Sequence, residues 1–378
     1  MLSLSAFFHA PSLCFVSSAS CRPSFSLSSK PSSTSLMAVS ARIAVVGDVH
    51  DDWNLEEDTK ALELLQPDLV LFTGDFGNEN VDLVQSVADL KFPKAVILGN
   101  HDSWYTQKFS QKMKDGVQLQ LECTLHIMHE LSPEEIQLLN ENTFLETTSL
   151  GEEHVGYRHL DFPTLKLSVV GGRPFSCGGD QLFRKGLLSA RYGVQDMEGS
   201  AMRIYNTASR TPENHLVIFL AHNGPTGLGS NLNDICGKDW VFGGGDHGDP
   251  DLAQAIAHLK ETTKLNIPLV VFGHMHKELA YGNGLRKMIV VSTDNTIYLN
   301  GAIVPRVKRI NDDQRAPNRS FMNSETSQLT PESKGTRRAF TLVEILEGRV
   351  DKIAETWVSV TGDVTSVEEE HVLFKCSN

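Results

Sequence analysis

Three features of the 378-residue chain predict an α/β fold built from βαβ units: short apolar runs of strand length, helical patterns between them, and clusters of Asp, His or Asn closing most of the runs. The runs at 43–46, 69–72, 96–98, 167–170, 216–220 and 269–272 are largely continuous in apolar character rather than alternating. A strand covered on both faces reads this way, because it has no solvent side on which to place polar residues.

The intervening segments carry the helices. Residues 55–65 and 81–90 repeat apolar positions at helical spacing. Residues 133–140 follow a capping box of Ser132 and Glu135, in which two side chains satisfy otherwise free N–H groups at the helix start. Asp249 and Pro250 open a helix over 252–260, with proline in the first turn where its missing N–H is not needed. Residues 305–338 hold charges, Asn, Ser, Gln and Pro with almost no apolar period, and are expected to be a disordered loop. After them, 340–346 and 350–360 flank Glu347 and Gly348 and read as a hairpin. Two strands are too few to fold alone, so 41–304 and 339–375 are expected to form one domain with the 305–338 loop inside it.

The first 40 residues differ in kind. They contain 14 serines, two cations and no Asp or Glu, and the first acid in the chain is Asp48. A secretory signal needs an unbroken apolar stretch, which Ser5, His9, Pro11 and Ser12 interrupt, and a mitochondrial presequence leans on arginine, of which only Arg22 precedes Arg42. A disordered transit peptide over 1–40 and a plastid destination, the stroma rather than a membrane, are therefore expected. No run approaches the roughly 18 apolar residues of a membrane span. The six cysteines lack the C-x-x-C spacing of zinc or redox sites. A net charge of −13 argues against the basic stripe of a nucleic-acid binder.

The chemistry sits where the runs stop. Gly47-Asp48-Val49-His50, Gly74-Asp75, Gly99-Asn100-His101-Asp102, Ala221-His222-Asn223 and Gly273-His274-Met275-His276 each follow an apolar run. In open α/β sheets the ligand crevice lies beyond the carboxyl ends of the strands, so these clusters are expected to meet. Asp48, His50, Asp75, Asn100, His222, His274 and His276 would then crowd two carboxylates, four imidazoles and an amide together, with the His101 imidazole to spare. Two buried carboxylates repel unless a cation lies between them. Mixed oxygen and imidazole donors suit Mn, Fe or Zn, and seven donors are too many for one ion.

As an ordered set these motifs closely resemble the calcineurin-like metallophosphoesterase superfamily. The resemblance runs from Asp48 to His276. It implies a four-layer αββα sandwich of two mixed β-sheets flanked by helices, with a dinuclear metal site at the strand C-terminal ends. It also implies that Asp48, His50 and His276 hold one metal, that Asp75 bridges, and that Asn100, His222 and His274 complete the second. His101 would be the general acid, oriented by Asp102. The implied reaction is attack of a metal-bridging hydroxide on a phosphate ester, with a small phosphomonoester the favoured substrate. A phosphodiesterase or nuclease of the same fold, and a metal-binding scaffold without turnover, are the alternatives. The runs after the first Asp-x-His (Asp51-Asp52) and after Asp75 (Phe76-Gly77-Asn78-Glu79) depart from the Ser/Thr protein phosphatases. The Gly-Pro-Thr-Gly and Gly-Lys-Asp-Trp segments, together with the leader, resemble a plant and cyanobacterial-type subgroup.

Two further residues are candidates for substrate contact: Arg173, as a bidentate phosphate clamp, and Asn223, at the head of a glycine-rich stretch. For 238–249 two readings stay open, a lining of the substrate site or a surface loop with a helix cap at Asp249. His154, His159, His215 and His258 are read as structural.

Overall fold

The computed structural model describes residues 40–106, 117, 120, 153–310 and 335–377. The helix expected at 133–140 and the segment 1–39 of the leader lie outside them. Among the described residues, two mixed β-sheets face each other and helices cover their outer sides.

The first sheet runs β13 (Val364–Lys375), β12 (Arg349–Thr361), β11 (Thr336–Leu346), β1 (Ser40–Val46), β2 (Leu69–Phe72) and β3 (Lys94–Val96), with β10 (Val307–Arg309) pairing to β11. The second runs β4 (His159–Phe162), β5 (Leu167–Gly171), β6 (Leu216–Leu220), β7 (Asn266–Phe272), β9 (Ile297–Asn300) and β8 (Ile289–Val291). In the first sheet β1, β2 and β3 are parallel, while β11 joins β1 antiparallel. In the second, β5, β6, β7 and β9 are parallel, with antiparallel edges at β4 and β8.

The two-residue period of the strands divides their side chains between two cores. Ile43, Val45, Leu69 and Leu71 from the first sheet pack with Val169, Ile218, Leu269 and Val271 from the second. Their chain neighbours Ala44, Val46, Val70, Phe72, Val217, Phe219 and Phe272 point outward into a core shared with the helices. Those helices are α1 (Leu55–Leu65), α2 (Val81–Ala88), α3 (Lys185–Tyr192), α4 (Met197–Ala208) and α5 (Pro250–Thr262). Burial on both faces is what made these strands read as continuous apolar runs. None of the helices is long and apolar enough to cross a membrane.

The structure corrects the sequence expectation in two places. The ends of the expected 305–338 loop are ordered: β10 pairs to β11 in register, and both flanking arginines are buried. Arg306 and Arg338 converge on Asp58 in α1, at 2.7 and 2.6 Å. Their polar character serves a buried ion network, which apolar periodicity does not register. The hairpin also gains a third strand, β13, which pairs to β12 along its length. Its run of three glutamates lies on an exposed edge, where charge discourages pairing with another chain.

Candidate metal centre

Both sheets supply the site. Asp48 and His50 follow β1, Asp75 follows β2, and Asn100 and His101 follow β3, all in the first sheet; His222 follows β6, and His274 and His276 follow β7, in the second. The five clusters meet beyond the carboxyl ends of the strands, as expected, with two facing sheets contributing.

The backbone at these turns is held in an unusual form. His50, Asp75 and His274 have positive φ values of 43°, 49° and 65°. A non-glycine residue pays roughly 1–3 kcal/mol to stay there, and such strain gathers where a side chain must be aimed against local preference. Glycines beside the donors allow close approach. A Cβ at Gly99 would stand 2.3 Å from Asp75 Oδ1 and 2.5 Å from the His222 ring, and one at Gly273 would stand 2.0 Å from Asp48 Oδ1.

Three groups of donors result: Asp48, His50 and His276; His50, Asp75 and His101; and Asp75, His222 and His274, with the donor atoms of each group within 4.8 Å of one another. Asn100 joins the last through its Oδ1, 2.9 Å from His222 Nε2. All seven residues singled out as metal donors are thus brought together. Asp75 belongs to two adjoining groups, and its oxygens lie 3.9 Å from His50 Nε2 and 3.4 Å from His222 Nε2.

The donor chemistry fits a bound cation. His222 Nδ1 donates to the Thr73 carbonyl at 2.7 Å, which fixes the tautomer and leaves Nε2 facing the oxygens of Asn100 and Asp75. The three atoms converge on one point, where either the Nε2 proton of His222 or a bound cation can sit between them. Burial disfavours charge on His222, yet the adjacent Asp75 carboxylate outweighs it and raises the imidazole to about 10. Burial would raise Asp75 as well, but His222 overrides that and holds it below the usual carboxylate range. Burial lowers His50 and His274, so both imidazoles present lone pairs. His50 Nε2 and His276 Nε2 stand 3.0 Å apart. Among the described residues the ion pairs of Asp48 and Asp75 involve histidines alone.

His101 is placed differently from the sequence expectation. Its Nδ1 is 2.7 Å from the Asn78 amide oxygen, so Nδ1–H donates there and Nε2 remains available. The ring stacks on Trp104, with centroids 4.8 Å apart and planes 7° apart. Asp102 does not orient it. The buried Asp102 carboxylate instead accepts from the N–H groups of Asp75, Phe76 and Gly99 at 3.0, 3.0 and 2.7 Å, tying the β2 and β3 turns together. Burial and the neighbouring Asp75 raise its pKa well above the usual range.

Neither candidate substrate contact reaches the cluster. Arg173 is buried, donating from Nε to Asp251 at 2.9 Å and from Nη2 to Asp249 at 2.8 Å, so it is neither a phosphate clamp nor a surface arginine. Asn223 is buried as well, and its amide donates to the His247 carbonyl at 2.8 Å. Asp249 accepts from Arg173 and Ser176 rather than capping α5 with its side chain. The 238–249 stretch does reach the site, through His247, whose ring lies 5.8 Å from that of His274 and 4.8 Å from Trp240. Of the two readings left open for 238–249, the lining of the site is thus the one His247 favours, while Asn78, which stands in no spaced motif, was missed.

Residues 41–278 match the family model described as calcineurin-like phosphoesterase. No curated protein matches the chain. Among solved structures, a dimetal phosphatase from Danio rerio is 11% identical, with 89% of this chain and 99% of that one covered and a TM-score of 0.38. PhoD is 12% identical, with 89% and 72% covered and a TM-score of 0.41.

Proposed function

Since the chain belongs to the calcineurin-like phosphoesterase family, whose members are metal-dependent hydrolases of phosphate esters, we propose that it cleaves a small phosphomonoester at the cluster centred on Asp75. The observation that carries this reading is the sharing of Asp75 between two adjoining donor groups. Asp48, His50, His276 and Asp75 would hold one divalent ion, and Asp75, Asn100, His222 and His274 a second, with Mn, Fe or Zn best suited to the mixed oxygen and imidazole donors. Two such ions lower the pKa of water and neutralise charge on a transferring phosphoryl group.

The chain's own residues supply the rest. His101, with Nδ1 held by Asn78 and its face on Trp104, presents Nε2 on the cluster's open side, where it can hand a proton to a departing oxygen. Asp102 fixes the two turns that carry Asp75 and Asn100. The net charge of −13 supports a small ester over a nucleic-acid backbone. The serine-rich, acid-free leader supports delivery to the plastid stroma. A reporter fused to residues 1–40 and left in the cytosol would overturn that assignment.

The test of the activity is hydrolysis of p-nitrophenyl phosphate and of its bis-ester by the full chain, with Mn, Fe, Zn or Mg supplied and bound metal counted. Metal-dependent turnover that prefers the monoester is the expected result. Preference for the bis-ester would make the protein a diesterase, and two bound ions without turnover of either would make it a scaffold.

A further inference from the structure

Beside the metal cluster lies a cavity of about 590 Å³, lined by residues 177–186 together with Lys238 and His247. We propose that it is a subsite for a second anionic group, so that the enzyme selects phosphomonoesters whose leaving group itself bears a negative charge. The proposal rests on the phosphoesterase reading above and names its substrate class.

At one end the lining includes His247, whose ring lies 5.8 Å from that of His274. At the other it includes Arg184, which donates from Nε to the Ser103 carbonyl at 2.8 Å and from Nη2 to the Trp104 carbonyl. Trp104 is the residue stacked on His101. The lining therefore includes both a ring neighbour of the donor His274 and an arginine bonded to the carbonyl of the residue that stacks on His101.

The chain carries −13 overall, yet Arg184, Lys185 and Lys238 line this cavity against a single carboxylate, Asp180. Arg184 is fixed in place by its two carbonyl partners and by Phe183, whose ring centroid is 4.5 Å from the guanidinium carbon. A guanidinium held this way is already oriented when a ligand arrives, so binding costs little further ordering. Lys238 is half-buried, and its ammonium has no hydrogen bond or ion pair among the described residues. A cation that has lost part of its hydration without gaining a partner favours an incoming anion. Other lysines of the fold do have partners, among them Lys94 with Glu153, Lys260 with Asp294 and Lys277 with Glu355.

The matched probes are phenyl phosphate and 4-carboxyphenyl phosphate, which differ by one carboxylate. For the metal-loaded full chain we expect a higher kcat/KM for the carboxylated ester. The ratio between the two should fall at least about tenfold in the Lys185→Ala/Lys238→Ala double variant, the size expected for losing one charge-assisted contact. Lys238→Arg alone should keep it. Titration calorimetry with the non-hydrolysable pair phenylphosphonate and 4-phosphonobenzoate gives a readout free of turnover, with the same discrimination expected and the same loss. An equal preference in wild type and double variant, by either readout, overturns the subsite. If neither ester is hydrolysed while the phosphonates still discriminate through Lys238, the subsite stands and the phosphoesterase reading falls.

Discussion

Asp48 and Asp75 in the metal cluster and Asp249 and Asp251 beyond Asn223 are four carboxylates buried alike, at 0, 2, 1 and 0% exposure, but their charge is balanced in opposite ways. Asp249 and Asp251 share the guanidinium of Arg173 and accept further bonds from Ser176, Ser200 and Asn223. Burial raises Asp249 to about 7 despite Arg173, so the set can approach neutrality without outside help. Asp58 repeats the pattern with Arg306 and Arg338. Asp48 and Asp75 have imidazoles for ion-pair partners, His276 for the one and His50 and His222 for the other; burial keeps His50 below its ordinary pKa, while the Asp75 carboxylate itself raises His222. A carboxylate facing a guanidinium is finished when the chain folds, whereas one facing imidazoles, which can give up a proton to a metal, is set up for a cation from solution.

Asp75→Asn tests this contrast most severely. Replacing a carboxylate oxygen of the residue shared by both donor groups should lower metal-dependent hydrolysis at least about 10⁴-fold, roughly 5.5 kcal/mol of barrier. It should also cancel the response to metal removal. Chelation should lower the wild-type Tm, since a ligand at a hundred times its Kd stabilises the fold by about 2.7 kcal/mol. The variant's Tm should not move. Calorimetry with and without chelator reads both, and an undiminished shift in Asp75→Asn would dismantle the contrast.

Arg173→Met is the complementary change. It strips two buried carboxylates of their cation, and breaking a buried pair from one side costs about 3–5 kcal/mol. Denaturant unfolding should show that loss with the chelator-sensitive shift in Tm retained, because the metal donors are untouched. A variant as stable as wild type would mean that Asp249 and Asp251 are neutral without their arginine.

Smaller effects separate His101 from its supports. His101→Gln should reduce kcat by about 10²–10³-fold with bound metal unchanged, the usual contribution of a positioned proton donor. Asn78→Ala removes only the partner of Nδ1, so it should cost less than His101→Gln and displace the pH profile of kcat. A profile identical to wild type would show that Trp104 stacking alone fixes the ring.

Much of this was legible in the sequence. Strands buried on both faces announced themselves as unbroken apolar runs, and α1 spans the 55–65 read from periodicity. What escaped was the polar part of the fold. β13 carries glutamates and a histidine on an exposed edge, β10 is three residues long, and α4 places Glu198, Gly199 and Arg203 between its apolar positions, so none shows a clean period. At the site, spacing located the donors but not the direction of the side chains around them. Asp102 stands next to His101 in the chain, yet its carboxylate turns to three backbone amides, and the bond to Nδ1 comes from Asn78, 23 positions earlier. Arg173 looked available to phosphate because nothing in the sequence shows that Asp249 and Asp251 lie against it in space.

His154 offers the mildest test, a buried titratable group that has neither an ion-pair partner among the described residues nor a place among the metal donors. It bridges to Val96 at the end of β3, and its Nε2 has no hydrogen-bond partner among the described residues. Burial, helped by Arg158 and Arg191, lowers it from 6.5 to about 3. The folded protein therefore keeps this ring neutral while the unfolded chain takes up a proton as the pH falls below 6.5. Stability from this group is complete above 6.5 and drains away towards pH 3. At pH 5 the loss is about 2 kcal/mol. Urea titrations from pH 7 to pH 5 should show His154→Gln, which cannot titrate, losing about 2 kcal/mol less than wild type over that interval, whatever its offset at pH 7. Parallel curves would mean that His154 is protonated within the fold, and that an anion, rather than burial alone, governs this corner of the molecule.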